Sequence, residues 1–149
     1  MRALLLCLML LFVGCRNHQL QVRDLATPEY PNEARVGNIQ GMVRVSVVIG
    51  PDGRVMVAKG SGAHPILVEA AEKNVRQWVF GPFPAVYEFP IYHTVTYVFK
   101  LEGPPAFVVY TPAIRTYLPD RIELQSRLFE SDYPPSAAPR PPGAEEKKK

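Results

Sequence analysis

Three histidines, two cysteines and a scatter of carboxylates are the side chains to weigh first for metal, nucleophilic or acid–base chemistry in this 149-residue chain. His18, His64 and His93 are too far apart to read as a metal site. His64 stands directly before Pro65 and reads as a helix-start residue, and His93 reads as a packing or surface residue of a strand. Ser61 lies between two glycines with no neighbouring base to activate it, so it reads as a loop hydroxyl. Asp52 sits in Gly50-Pro51-Asp52-Gly53, where aspartate stabilises a turn through its own backbone contacts. No pair of carboxylates stands at an active-site spacing. The expectation is a protein that is not an enzyme, with no catalytic residue, no metal site and no cofactor. The net charge is only +3, and three of the cations are the terminal Lys147, Lys148 and Lys149. No basic stripe is interleaved with aromatics, so nucleic acid is not an expected partner.

Cys15 is the remaining reactive group. It follows an uninterrupted apolar run of eleven residues, Ala3 to Val13, with Arg2 ahead of it. Eleven helical residues cover about half of a bilayer core of about 30 Å, so the run is too short to span and suits a signal peptide. The ending Phe12-Val13-Gly14-Cys15 resembles the lipobox of bacterial lipoproteins, with Phe12 where leucine is usual. That resemblance implies removal of residues 1–14 and lipidation of Cys15, with an ordinary secretory cleavage nearby as the alternative. Cys7 would leave with the leader, so no internal disulfide is expected.

Behind these groups stand the elements that must position everything else. Residues 15–27 read as a short polar tether. Gly41 to Ile49 alternates Val43, Val45, Val47 and Ile49 against Met42, Arg44, Ser46 and Val48, the pattern of a half-buried strand. Gly50-Pro51-Asp52-Gly53 suits a type I turn and returns the chain as a second strand over residues 54–59, with Val55 and Val57 expected inward. Gly60-Ser61-Gly62 is read as the end of that strand. A helix begins near Pro65 and places Leu67, Ala70, Ala71, Val75 and Trp78 on one face, with Glu69–Lys73 and Glu72–Arg76 as i,i+4 pairs outside. Arg76 reads as a solvated residue. Trp78, Leu67, Val45 and Val47 are the expected core anchors. Ile91, Tyr92, His93, Thr94, Val95, Thr96, Tyr97, Val98 and Phe99 open a third strand that runs to Leu101. The fold class predicted is α+β in two layers, β-β-α-β, with one helix on one face of a three-stranded antiparallel sheet. More than half of the sixteen prolines lie from Pro104 onward. Residues 102–131 read as an extension in which Phe107-Val108-Val109-Tyr110 could form a strand or wrap on the domain, and residues 132–149 as a disordered tail.

The ordered set of motifs over residues 28–101 resembles the TonB C-terminal domain family. It consists of Tyr30-Pro31 with Ala34-Arg35, Gly41-x-Val43-x-Val45, Pro51-Asp52-Gly53-Arg54-Val55, Ser61-Gly62, the helix from Leu67 to Trp78, and Phe80-x-Pro82. The resemblance implies a periplasm-facing module of the cell envelope that binds short peptide segments by adding them to a sheet edge. The partner implied is a TonB-dependent transporter or similar envelope protein with a TonB-box-like segment, in a role related to transmembrane transport. The nine residues Ile91 to Phe99 correspond to the peptide-binding edge strand. A homodimer through that edge is also possible. No charged residue lies between Pro90 and Lys100, so the edge must be used by a partner or covered. The segment around Phe107 to Tyr110 folding back on it is the internal alternative. The alternative function is an orphan structural or assembly lipoprotein. The chain also departs from energy transducers of this family. Its thirteen-residue tether reaches at most about 45 Å, and no long Pro-rich spacer precedes the domain.

Overall fold

A computed structural model describes residues 19–105 and 111–129. The signal-peptide and Cys15 expectations, Phe107 to Tyr110 and the tail from 132 lie outside the described residues.

Among the described residues nine elements follow one another: β1 (Val22–Asp24), α1 (Asn32–Val36), β2 (Gly41–Ile49), β3 (Val55–Gly62), α2 (Pro65–Val75), β4 (Val79–Phe80), β5 (Ile91–Leu101), β6 (Ala113–Tyr117) and β7 (Arg121–Ser126). A five-stranded sheet runs in the order β3-β2-β5-β7-β6, and β1 pairs with β4 in a separate two-stranded piece. The α+β class holds, but the three-stranded sheet is corrected to five strands. The two additional strands come from the extension beyond residue 102, where flanking prolines and alternating charges gave no clear strand signal.

β2 forms because valines alternate with polar residues, and Val43, Val45, Val47 and Ile49 are all buried against the helical layer. At the turn, the Gly53 N–H donates to the Gly50 carbonyl at 2.9 Å, and Gly53 takes φ +81°. A Cβ there would stand 2.1 Å from the Phe80 carbonyl oxygen, so glycine is needed both for the turn and for the approach of β4. Beyond the turn the register slips: Ile49 faces Val55 but Val48 faces Val57. Met56 is the extra residue of this bulge, and it reverses the facing of everything after it. Ala58, not Val57, therefore points into the core, and Val57 is half exposed. The strand also continues past Gly60 and ends only at Gly62. A Cβ on Gly60 would come within 2.7 Å of Val68, so that glycine lets α2 settle close to the sheet.

α2 opens with the His64 ring accepting from the Ile66 N–H at 3.3 Å, with Pro65 in the first turn. Leu67, Ala71 and Val75 are buried on its inner face. Trp78 lies just past the helix and is 1% exposed. Its indole N–H donates to Asn74 Oδ1 at 3.0 Å, and the same oxygen accepts from the Tyr97 hydroxyl at 2.8 Å. Asn74 Nδ2 in turn donates to the Ala26 carbonyl. One buried amide thus satisfies two aromatic donors, as buried polar atoms require. Burial pushes the Tyr97 phenol far above its ordinary value and that of Tyr30 up to about 12. The segment read as tether is partly built in: β1 pairs with β4, and the Gly81 N–H donates to the Gln21 carbonyl.

Candidate functional site: the sheet edges

A sheet that binds peptides does so through unpaired main-chain groups, so the state of each edge decides what the domain can accept. The β3 edge is closed by side chains. Glu72 Oε1 accepts from the Gly60 N–H at 2.6 Å, and Arg76 Nη2 donates to the Ala58 carbonyl at 2.7 Å. The two side chains are themselves paired at 3.1 Å. Together they take one donor and one acceptor that a neighbouring strand would use. The Gly60 hydrogen bond, helped by Arg76, holds the Glu72 carboxyl below its ordinary range. Arg76, read from the sequence as solvated, is thus an edge cap. Its spacing to Glu72 was visible, but its main-chain target was not.

β5 is not an edge strand. On one side it pairs antiparallel with β2 along Ile91–Ile49 to Phe99–Gly41. On the other, β7 pairs with it in parallel from Thr96–Arg121 to Leu101–Ser126. The ladder begins with the Thr96 N–H donating to the Asp120 carbonyl at 2.8 Å and closes with the Glu102 N–H donating to the Ser126 carbonyl at 2.9 Å. Of the nine residues Ile91 to Phe99, the structure therefore covers Thr96, Tyr97, Val98 and Phe99. Ile91, Tyr92, His93, Thr94 and Val95 extend beyond the end of β7. By the alternation of the strand, only Tyr92 and Thr94 there turn main-chain groups outward.

Three groups of contacts fix β7. Ile122 and Leu124 are fully buried beside Tyr97 and Phe99, and each such burial contributes about 1.5–3 kcal/mol. At the β6–β7 turn, His93 Nε2 lies 3.3 Å from Asp120 Oδ1 and 3.4 Å from the Pro119 carbonyl. At the far end Arg35 is 1% exposed, and its Nε donates to the Arg127 carbonyl at 2.9 Å. The Arg35 guanidinium also lies 5.6 Å from the centre of the Phe129 ring, and its Nη2 has no hydrogen-bond partner. The sequence showed Arg35 only as part of a motif. A guanidinium that anchors a main-chain carbonyl 92 positions away leaves no local signal.

β6 is left as the outer strand. Even-numbered β7 residues carry the carbonyls that meet β5, so odd-numbered ones face β6. The β6 partners of those are Ala113, Arg115 and Tyr117. Ile114 and Thr116 consequently present their N–H and C=O groups outward, an unclosed edge among the described residues.

Chemistry of other kinds has no comparable support. Among the described residues no three His, Cys, Asp or Glu side chains cluster to hold a metal. None of the described helices is long and apolar enough to cross a membrane.

The chain matches no curated protein. A family model, described as the Gram-negative bacterial TonB protein C-terminal, matches residues 26–101, just over half of the chain. The match ends where β5 ends, so the β6–β7 hairpin lies wholly beyond it. The family is a non-catalytic protein-interaction domain of the Gram-negative envelope. With these elements in this order and the match over residues 26–101, the chain belongs to the TonB C-terminal domain family.

Proposed function

We propose that this protein is a lipid-anchored, periplasm-facing binding module that captures an extended segment of an envelope protein, such as a TonB-dependent transporter, by strand addition at β6. The observation that carries this reading is the condition of the two edge strands and of β5 between them. Glu72 and Arg76 cap β3, β7 covers β5, and among the described residues Ile114 and Thr116 of β6 remain open. A partner that instead took the place of β7 would have to refill the pockets of Ile122 and Leu124 and break the Arg35 contact. That costs several kcal/mol before any affinity is gained.

Thr116→Pro tests the edge. Proline is tolerated on an edge strand where the lost N–H faces solvent. The variant should keep its thermal midpoint and lose about tenfold in affinity for a transporter-derived extended peptide. In the unmodified protein, NMR shifts on adding peptide should centre on Ile114 and Thr116. Shifts centred on Thr96 to Lys100 with loss of the β6–β7 signals would show displacement instead. Shifts nowhere in the sheet would favour the structural-lipoprotein role.

The anchor proposed is Cys15, on the evidence of the eleven-residue apolar run and Gly14-Cys15. Mass spectrometry of the mature protein should find residue 15 at the N-terminus carrying acyl chains, and Cys15→Ser should release it from membranes. An unmodified cysteine or an N-terminus elsewhere would refute the anchor. In this reading a lipid anchor, which sits in one leaflet, transmits no work across the membrane, so the role that follows is binding without energy transduction.

A further inference from the structure

The sheet has one face packed under α1, α2 and the N-terminal segment. The described elements leave the other face uncovered, and its residues can be read from the register. Arg44, Lys59, Lys100, Arg115 and Arg121 all stand on it, against two carboxylates, Glu123 of β7 and Glu102 just past β5, which accepts from Gln125. All five cations are exposed, whereas Glu123 is half-buried and paired to Arg121. Between them lie the hydroxyl side chains of Ser46, Thr94 and Thr96. At the end of the face nearest the β6–β7 turn, Tyr92 is 76% and Tyr117 54% exposed.

We propose that this uncovered face lies against an anionic phospholipid bilayer and sets the orientation of the domain on the membrane. Three observations select a bilayer over an acidic protein. The charge is spread over all five strands of the sheet, from Lys59 on β3 to Arg115 on β6, rather than gathered at one point. The two exposed tyrosines have the amphipathic character that suits the water–lipid boundary. Gln19 also lines one cleft with His93, Leu118, Pro119 and Asp120 at that same end of the sheet. Cys15 is four positions ahead of Gln19 in the chain, a reach of at most about 14 Å. That exceeds the layer spacing of about 10 Å, so a lipid on Cys15 can sit level with the uncovered face. This last argument rests on the lipid-anchor reading above, while the charge and the tyrosines do not. With the face on the bilayer, the β6 edge runs parallel to the membrane surface. It is then open sideways to a segment emerging from a membrane-embedded partner.

The test uses the chain from residue 15 onward carrying Cys15→Ser, so that no lipid is attached and failure of the anchor cannot mimic failure of the face. Co-sedimentation is measured with equimolar phosphatidylglycerol–phosphatidylcholine vesicles and with pure phosphatidylcholine vesicles. Binding should favour the anionic vesicles and weaken with salt. Each basic residue near an anionic surface contributes roughly a fivefold gain, so Arg44→Gln with Lys59→Gln should lower partitioning about 30-fold. Lys73→Gln, on the exposed side of α2, should leave it unchanged. Equal binding to both vesicle types, or an equal loss from Lys73→Gln, would overturn the proposal. So would binding to soluble polyglutamate in preference to anionic vesicles.

Discussion

Trp78→Ala should lower stability by about 3–5 kcal/mol, measured as the change in free energy of unfolding from urea denaturation curves. The indole is 1% exposed and sits among Phe80, Tyr97 and the inner face of α2, with ring centres of the two aromatics 5.9 and 6.2 Å away. Its removal leaves a cavity and deprives Asn74 Oδ1 of one of its two donors. A domain of this size has about 5–15 kcal/mol in all, so the variant should be largely unfolded well below the parent's midpoint. Trp78→Phe keeps most of the volume but not the donor. Because Tyr97 still satisfies the oxygen, it should cost much less. An unchanged midpoint for Trp78→Ala would mean that α2 does not present this face to the sheet.

Removing the hairpin should be equally disruptive, for a different reason. A chain ending at Glu102 loses the buried Ile122 and Leu124, worth about 3–6 kcal/mol together. It also bares the β5 edge, which has no charge between Pro90 and Lys100 to discourage pairing. The truncated protein should therefore be less stable and should self-associate, seen as a concentration-dependent shift in sedimentation. Because truncation can unfold the domain altogether, the full-length double variant Ile122→Ala with Leu124→Ala provides a second reading. It keeps the strand but loses its packing, and each substitution should cost about 2–5 kcal/mol. A truncated protein that stays monomeric with unchanged stability would show the hairpin to be an appendage.

The legible part of this fold was the part encoded in local pattern. Val43 to Ile49 alternates cleanly, Pro51-Asp52-Gly53 marks its turn, and Leu67, Ala71 and Val75 recur at helical spacing. The facing of β3 was missed because a bulge at Met56 has no compositional mark, and one extra residue exchanges inside for outside. β7 was missed for three reasons. Arg121–Ser126 is short, it alternates apolar with charged or polar residues after a proline, and its partner lies in parallel register far back along the chain. The need to cover the β5 edge was nonetheless visible in its lack of charge. Apolar density points to Phe107 to Tyr110 as the cover, which lies outside the described residues; among those described, Arg121–Ser126 covers Thr96 to Leu101. The caps on β3 depend on side chains meeting main-chain atoms, and only the spacing of Glu72 to Arg76 hinted at them.

The most direct test of an internally closed edge is amide hydrogen exchange on the full-length protein, read at Thr96, Val98 and Lys100. These are the β5 residues whose main-chain groups face β7 rather than β2. The expected result is protection comparable to that of Val45 in the interior strand β2, with Tyr92 and Thr94 of β5 exchanging much faster. Exchange at Thr96, Val98 and Lys100 as fast as at Tyr92 and Thr94 would contradict the account, since β5 would then be an open edge and β7 no part of the sheet.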